Sequence, residues 1–280
     1  MRVVVTGAGG QLGHDLIDAF QDHEVIGLAR DQLDVSSRDA VLQAITTIQP
    51  DAVIHAGAWT AVDACEGDPD RAFAVNALGT RHVAEAARLV GARVCYVSTD
   101  YVFDGTSPDP YREWDATNPL SVYGQSKLGG ERELDPGSTI VRTSWVCGLH
   151  GANMVKTVLR LAGEHESLSF VDDQHGCPTF TADLAVAIRT LVVGRLPGTF
   201  HVTNQGATTW FQFARDILAL SGADPDRVRP IATSELVPAR PAPRPANSVL
   251  DNAALRLQGL PLLADHHEPL ERLVKELQSQ

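Results

Sequence analysis

The sequence predicts an α/β fold, a doubly wound parallel sheet covered by helices on both faces, with a smaller C-terminal lobe. Three observations carry this. Short β-branched strands alternate with helical stretches, the strands are apolar throughout instead of alternating, and a glycine cluster separates the first strand from the first helix. Residues 1–150 are read as a dinucleotide-binding domain. Residues 151–280 are read as mainly a substrate-binding lobe, with some segments returning to pack on the first domain.

Val3-Val4-Val5-Thr6 forms the first strand, and Leu12 to Phe20 carries apolar residues at helical spacing. Glu24 to Leu28 reads as a strand, Arg38 to Ile48 as a helix and Ala52 to His55 as a third strand. Arg71 to Leu89 reads as one long alanine-rich helix, Arg93 to Ser98 as a strand, the Tyr123 region as a helix and Thr139 to Val141 as a strand. Beyond residue 150 helices are expected at Ala152–Ala162, Thr181–Val193, Thr209–Leu220 and Glu268–Gln278. Pro238, Pro241, Pro243 and Pro245 favour an extended stretch, either a loop crossing the lobe or a plain connector.

A formal charge of −12 and a pI near 5.2 argue against nucleic-acid or anionic-membrane surfaces. No apolar run has the length of a membrane span, and the first strand starts too early to leave room for a signal peptide. Cys65, Cys95, Cys147 and Cys177 are scattered without a C-x-x-C pair, as expected of reduced thiols in the cytoplasm. His266-His267 is the one adjacent histidine pair, read as a surface feature of a polar tail; no metal site is assigned.

Tyr123 and Lys127 lie four residues apart, on one face of the expected helix. A phenol beside an ammonium is an acid–base pair: the cation is expected to lower the tyrosine pKa, and its donors can hold a cofactor hydroxyl. An exposed helix turn would need neither. Gly7, Gly10 and Gly13 follow the first strand in a G-x-x-G-x-x-G spacing, which lets backbone N–H groups at a helix start approach a pyrophosphate, as in folds of the Rossmann type. Arg30 and Asp31 follow the second strand, where the adenosine ribose is read; Arg30 comes first and favours NADPH, with NADH tolerance left open. Asp34-Val35 is placed at the adenine end. Ala56-Gly57-Ala58 has no bulk to obstruct a cofactor, although tight packing would use the same small residues. Thr99 ends a buried strand, where its hydroxyl can donate to a substrate oxygen or merely satisfy local backbone.

Together these segments resemble the extended short-chain dehydrogenase/reductase superfamily. More narrowly, TGAGGQLG, HAGAWTAVDACE, STDYVFDG, YGQSKLGGE, RTSWVCG, DDQHGCPT and RPANSVLD resemble the dTDP-4-dehydrorhamnose reductase family nearly end to end. The resemblance implies reduction of the 4-keto group of dTDP-4-dehydro-L-rhamnose to dTDP-L-rhamnose by NAD(P)H, the last step of dTDP-rhamnose synthesis. It implies Thr99, Tyr123 and Lys127 as catalytic residues and puts Gly10-Gln11-Leu12 on the pyrophosphate. Tyr123 and Lys127 would touch the nicotinamide ribose. Thr99, Asp100 and Trp145 would meet the sugar nucleotide, with Asn153 and Asp173-Gln174 as weaker candidates. Gly57 and Cys147 stand where the family usually has alanine and tyrosine. A homodimer is implied, as is magnesium in some members, with Asp15 as a counterpart of one ligand; a solvated carboxylate is the preferred reading of Asp15. Two alternatives stay open. One is a sugar-nucleotide epimerase or 4,6-dehydratase, although such dehydratases carry Thr-Asp-Glu where this chain has Thr99-Asp100-Tyr101. The other is a non-catalytic regulatory subunit of the same fold.

Overall fold

The computed structural model describes residues 1–279; Gln280, the last residue assigned to the C-terminal lobe, lies outside them. Six strands form one parallel sheet: β1 (Arg2–Thr6), β2 (Glu24–Leu28), β3 (Ala52–His55), β4 (Arg93–Thr99), β5 (Thr139–Thr143) and, much later, β10 (Gly198–His201), in the order β2-β1-β3-β4-β5-β10. The chain changes direction of winding between β1 and β3, so a crevice opens beyond their carboxyl ends. Val3, Val4, Val5, Val53 and Ile54 are all fully buried, as both-face coverage requires.

One face is covered by α1 (Gln11–Ala19) and α8 (Thr181–Val193), which pack on each other and bury Leu16, Phe20, Leu184, Ile188 and Leu191 against the strands. The other holds α2 (Arg38–Ile48) and α5 (Gly79–Val90), with Val41, Ile45, Val83, Ala86 and Ala87 inward. Each large apolar side chain fully buried here contributes about 1.5–3 kcal/mol.

The helix expected over Arg71 to Leu89 is present and continuous, but it is not α-helical throughout. The chain forms α3 (Val62–Gly67), α4 (Pro69–Phe73), a π-helical turn at Ala74–Leu78, and then α5. Asn76 accounts for the widened turn: its Oδ1 accepts from the Trp59 N–H at 2.8 Å, and its Nδ2 donates to the Trp59 carbonyl at 3.1 Å and to Ser126 Oγ at 2.9 Å. These bonds tie the helix to the loop after β3 and to α6 (Val122–Glu131).

Beyond β5 the chain adds β6 (Val146–Cys147), α7 (Met154–Glu164), β7 (Leu168–Val171), β8 (His175–Gly176) and β9 (Thr179–Phe180) ahead of α8. Past β10 come β11 (Thr208–Thr209), α9 (Trp210–Leu220), β12 (Val228–Ile231), α10 (Ala253–Leu257) and α11 (His267–Gln278). A second core gathers Val155, Val158, Phe213, Ile217, Leu218, Leu270, Leu273 and Val274 from α7, α9 and α11. The proline-rich stretch returns to the first half of the chain, where Arg244 forks onto both oxygens of Asp63 at 2.9 and 2.8 Å. His266 is not a surface residue: it is 2% exposed, packed edge-on to Phe213. All four cysteines are buried free thiols. Among the described residues no helix is long and apolar enough to cross a membrane.

Candidate active site

A cleft of about 1190 Å³ runs along the carboxyl edge of the sheet. It is lined by Gly7, Gly10, Gln11, Leu12 and Gly13 from the first turn, Arg30, Asp34 and Val35 beyond β2, and Ala56, Gly57 and Ala58 beyond β3. Thr99, Asp100, Tyr123, Lys127 and Trp145 complete it.

The glycine turn is shaped by close approach. Gly7 has φ +73°, and a side chain there would put Cβ 2.7 Å from the Gly57 backbone. At Gly13 a Cβ would stand 2.4 Å from the Gly7 carbonyl oxygen, so this glycine seats α1 against the turn. Gly10 precedes α1 with no side-chain cap, leaving the first N–H groups of the helix for another acceptor.

At the far end Asp34 Oδ1 accepts from the Ser36 N–H at 3.0 Å and hydroxyl at 2.7 Å, which holds its carboxyl below the usual range. Arg30 makes no ion pair or side-chain hydrogen bond among the described residues. Arg71, which the motifs did not single out, lines the same end and lies 4.4 Å over the Trp59 ring.

Helix α6 carries the acid–base pair. Ser121 caps it by accepting from the Gly124 N–H at 3.1 Å, and Gly124 and Gly130 let it close on neighbouring carbonyls. Tyr123 and Lys127 project from one face, 9% and 2% exposed. The expected lowering of the Tyr123 pKa is not found: burial pushes the phenol up, the Thr99 hydroxyl within hydrogen-bonding reach partly offsets this, and Asp100 raises it again. Lys127 is not among the groups acting on it. Its Nζ donates to the Val97 carbonyl at 2.7 Å and sits 4.0 Å over the Tyr96 ring, and burial brings its pKa down to about 7, opposed by Glu131.

Thr99 makes the local bonds that its position at a strand end also allowed. Its hydroxyl donates to Asp100 Oδ1 at 2.9 Å and accepts from the Tyr101 N–H at 3.2 Å, so its proton faces the carboxylate. Burial lifts Asp100 to about 6, with the Ser248 and Thr99 hydroxyls pulling the other way. Beneath the pair, Glu131 and Arg142 form a buried fork at 2.9 and 2.7 Å, and Ser98 donates to the same carboxylate at 2.5 Å.

Trp145 stands at φ +46° and stacks on Trp210, ring centroids 3.5 Å apart and 9° from parallel. Trp210, the first residue of α9, therefore covers one face of the indole expected to meet a base. No local motif marks Trp210, because it comes from a distant helix. Asn153 does not line the cleft: it caps α7, accepting from the Lys156 N–H at 3.2 Å and donating to the Gly148 carbonyl at 2.7 Å, and reaches the cleft wall only through Gln11. Asp173 and Gln174 are likewise turned to Thr233. Asp15 belongs to no group of three metal-ligating side chains among the described residues.

The family model described as RmlD substrate binding domain matches residues 1–279. A dTDP-4-dehydrorhamnose reductase of Streptomyces griseus is 44% identical over 270 residues, covering 92% of this chain and 88% of its own. A crystal structure of a dTDP-4-dehydrorhamnose reductase from Clostridium acetobutylicum superposes with TM-score 0.96 at 40% identity, over 99% of this chain and 100% of that one. That of Bacillus anthracis, in complex with NADP, gives TM-score 0.94 at 40% identity, over 98% and 99%. With the family model spanning all but the last residue, this chain belongs to the RmlD substrate binding domain family, alongside dTDP-4-dehydrorhamnose reductases.

Proposed function

We propose that this protein reduces the 4-keto group of dTDP-4-dehydro-L-rhamnose to dTDP-L-rhamnose, with NADPH as the preferred reductant. The observation that carries the reading is the buried Tyr123, held protonated by its surroundings next to Thr99 and one helical turn from Lys127. When bound, the reduced nicotinamide supplies the hydride that adds to C4. Tyr123 gives its proton to the developing alkoxide on O4, and a phenol kept neutral by burial is in the acid form that reduction requires. Thr99 stands beside the phenol, and a turn of its single hydroxyl rotor from Asp100 to O4 would give the oxygen a second hydrogen bond.

Gly7, Gly10, Gln11, Leu12 and Gly13 would hold the pyrophosphate, with Ala56, Gly57 and Ala58 along the cofactor. The uncapped start of α1, opening onto the cleft, supports a pyrophosphate there. Arg30, with Arg71 at the same end, supports a 2′-phosphate and hence NADPH over NADH. Lys127 would reach a ribose hydroxyl with the donors that Val97 leaves over. Trp145 and Trp210 would border the nucleotide of the substrate.

Mixing the protein with NADPH and dTDP-4-dehydro-L-rhamnose tests this directly. Stoichiometric loss of reduced-nicotinamide absorbance is expected. An epimerase or dehydratase consumes no net cofactor, and neither does a non-catalytic subunit, so a flat trace overturns the reading.

A further inference from the structure

Where α9 packs on α11, His266, His267 and Asp216 bring one donor atom each within 4.8 Å of one another. None of the three lines the cleft. They join two elements: Asp216 lies on α9, while His266 and His267 sit at the start of α11.

The orientation of both rings is already fixed. His266 Nδ1 lies 3.2 Å from the Gln205 carbonyl oxygen, which only accepts, so Nδ1 carries the proton and Nε2 keeps its lone pair. That Nε2 is buried and has no hydrogen-bond partner, in a side chain 2% exposed. His267 Nδ1 lies 2.7 Å from Asp265 Oδ1, so its Nε2 also presents a lone pair, 3.5 Å from Asp216 Oδ2. Asp216 Oδ2 is itself buried without a hydrogen-bond partner, while its Oδ1 accepts from Gln212. Gly206, at φ +92°, makes the arrangement possible: a Cβ there would stand 2.8 Å from His266 Nδ1 and 2.9 Å from Asp265 Oδ2.

A buried imidazole lone pair on His266 and a buried carboxylate oxygen on Asp216, neither with a hydrogen bond, are costly unless something binds them, and the exposed His267 Nε2 stands 3.5 Å from that same oxygen. From this geometry we infer that His266 Nε2, His267 Nε2 and Asp216 Oδ2 form a binding site for zinc or a similar late first-row divalent cation. The ligand set of two imidazoles and one carboxylate suits zinc and leaves a fourth position for water. The Gln205 carbonyl and Asp265 act as the outer partners that set each ring's tautomer. Tetrahedral zinc brings its ligand atoms to roughly 3.4 Å from one another. The ion therefore draws the cluster inward, which the exposed His267 permits. A bound ion would clamp the start of α11 to the middle of α9, whose first residue is the cleft tryptophan Trp210.

The test uses the tag-free full-length chain, stripped with chelator and titrated with cobalt(II) or zinc(II). One cobalt per chain is expected, with visible d–d absorption of a tetrahedral nitrogen–oxygen set, displaced by zinc. Zinc at a hundredfold excess over its Kd should raise Tm by about 5 °C. His267→Gln and Asp216→Asn should each weaken binding at least tenfold, and Asp265→Asn by about 10–100-fold, with keto-sugar reduction unchanged. His14→Gln serves as control, because His14 and His150 form the other stacked imidazole pair, centroids 4.0 Å apart. Absence of a cobalt band at stoichiometric metal overturns the site. So does binding that survives His267→Gln and Asp216→Asn, or that is lost in His14→Gln. The outcome is independent of the proposed reaction, which the absorbance assay tests separately.

Discussion

Lys127 Nζ donates to the Val97 carbonyl at 2.7 Å, and this bond, not an ion pair, anchors the ammonium in the cleft. Without a carboxylate at bonding distance, burial dominates and the pKa falls to about 7. An unfolded lysine binds its proton more tightly, so Lys127 weakens the fold at neutral and acid pH and the penalty fades as pH rises toward its unfolded value near 10.4.

A consequence for cofactor binding follows from that value. At pH 8 Lys127 is mostly neutral in the free chain, and a bound anionic dinucleotide favours the ammonium. NADPH binding at pH 8 should therefore take up most of one proton, measured by calorimetry in two buffers of different ionisation enthalpy. Lys127→Met should abolish the uptake. Buffer-independent heats in the parent protein would show that the lysine does not change its charge on binding.

Tyr123→Phe removes the proton donor and leaves the ring that fills the site. Turnover should fall by about 10²–10⁴-fold, since that is the usual contribution of a positioned general acid. The Kd for NADPH should stay within a few-fold of the parent value. Turnover near normal in this variant assigns the proton to another group.

Asp100 offers a separation of stability from activity. Its folded pKa of about 6 lies above the unfolded value near 3.9, so its favourable contribution is complete below pH 4 and lost as pH rises through 6. Asp100→Asn should raise the unfolding free energy by about 2–3 kcal/mol at pH 8 and change it little at pH 4. Activity should fall in the same variant, because Thr99 exchanges a carboxylate for a neutral amide. Equal gains in stability at both pH values would remove buried charge as the explanation.

Trp210→Ala uncovers one face of Trp145, stacked at 3.5 Å in the parent. Such aromatic pairs contribute about 0.5–1.5 kcal/mol beyond area burial, so KM for the nucleotide sugar should rise roughly 2- to 10-fold with kcat nearly kept. A loss confined to kcat would place Trp210 nearer the chemistry than the nucleotide.

What the sequence made legible was local. Gly7, Gly10 and Gly13 follow a strand directly, and Tyr123 and Lys127 share a helix face, so spacing alone placed them on one cleft wall. The strands and most helix bounds were equally legible, because full burial leaves an apolar run in the sequence. The misses are long-range. Asn76 widens one turn of an alanine-rich helix because Trp59 and Ser126, 17 and 50 residues away, take its side chain. Lys127 faces Val97 and Tyr96 across 30 and 31 residues, not Tyr123, so the expected pKa effect is absent. His266 reads as polar tail until Phe213 and the Gly206 turn close over it.

The deepest support of the site is also the most exposed to mutation. Glu131 and Arg142 are 6% and 7% exposed, paired through two hydrogen bonds, and Ser98 donates to the same carboxylate. Glu131→Gln leaves the guanidinium buried against a neutral partner, a change that should cost about 3–5 kcal/mol in a denaturant titration. Glu131 also raises the Lys127 pKa, so the proton uptake on NADPH binding should shift to lower pH in the same variant. Replacing both partners, Glu131→Leu with Arg142→Met, should recover much of the stability, since the unpaired charge and not the missing attraction is the larger penalty. The Lys127 shift should persist in that double variant, because the carboxylate is still gone. If stability and shift recover together, Glu131 acts on Lys127 through packing and not through its charge.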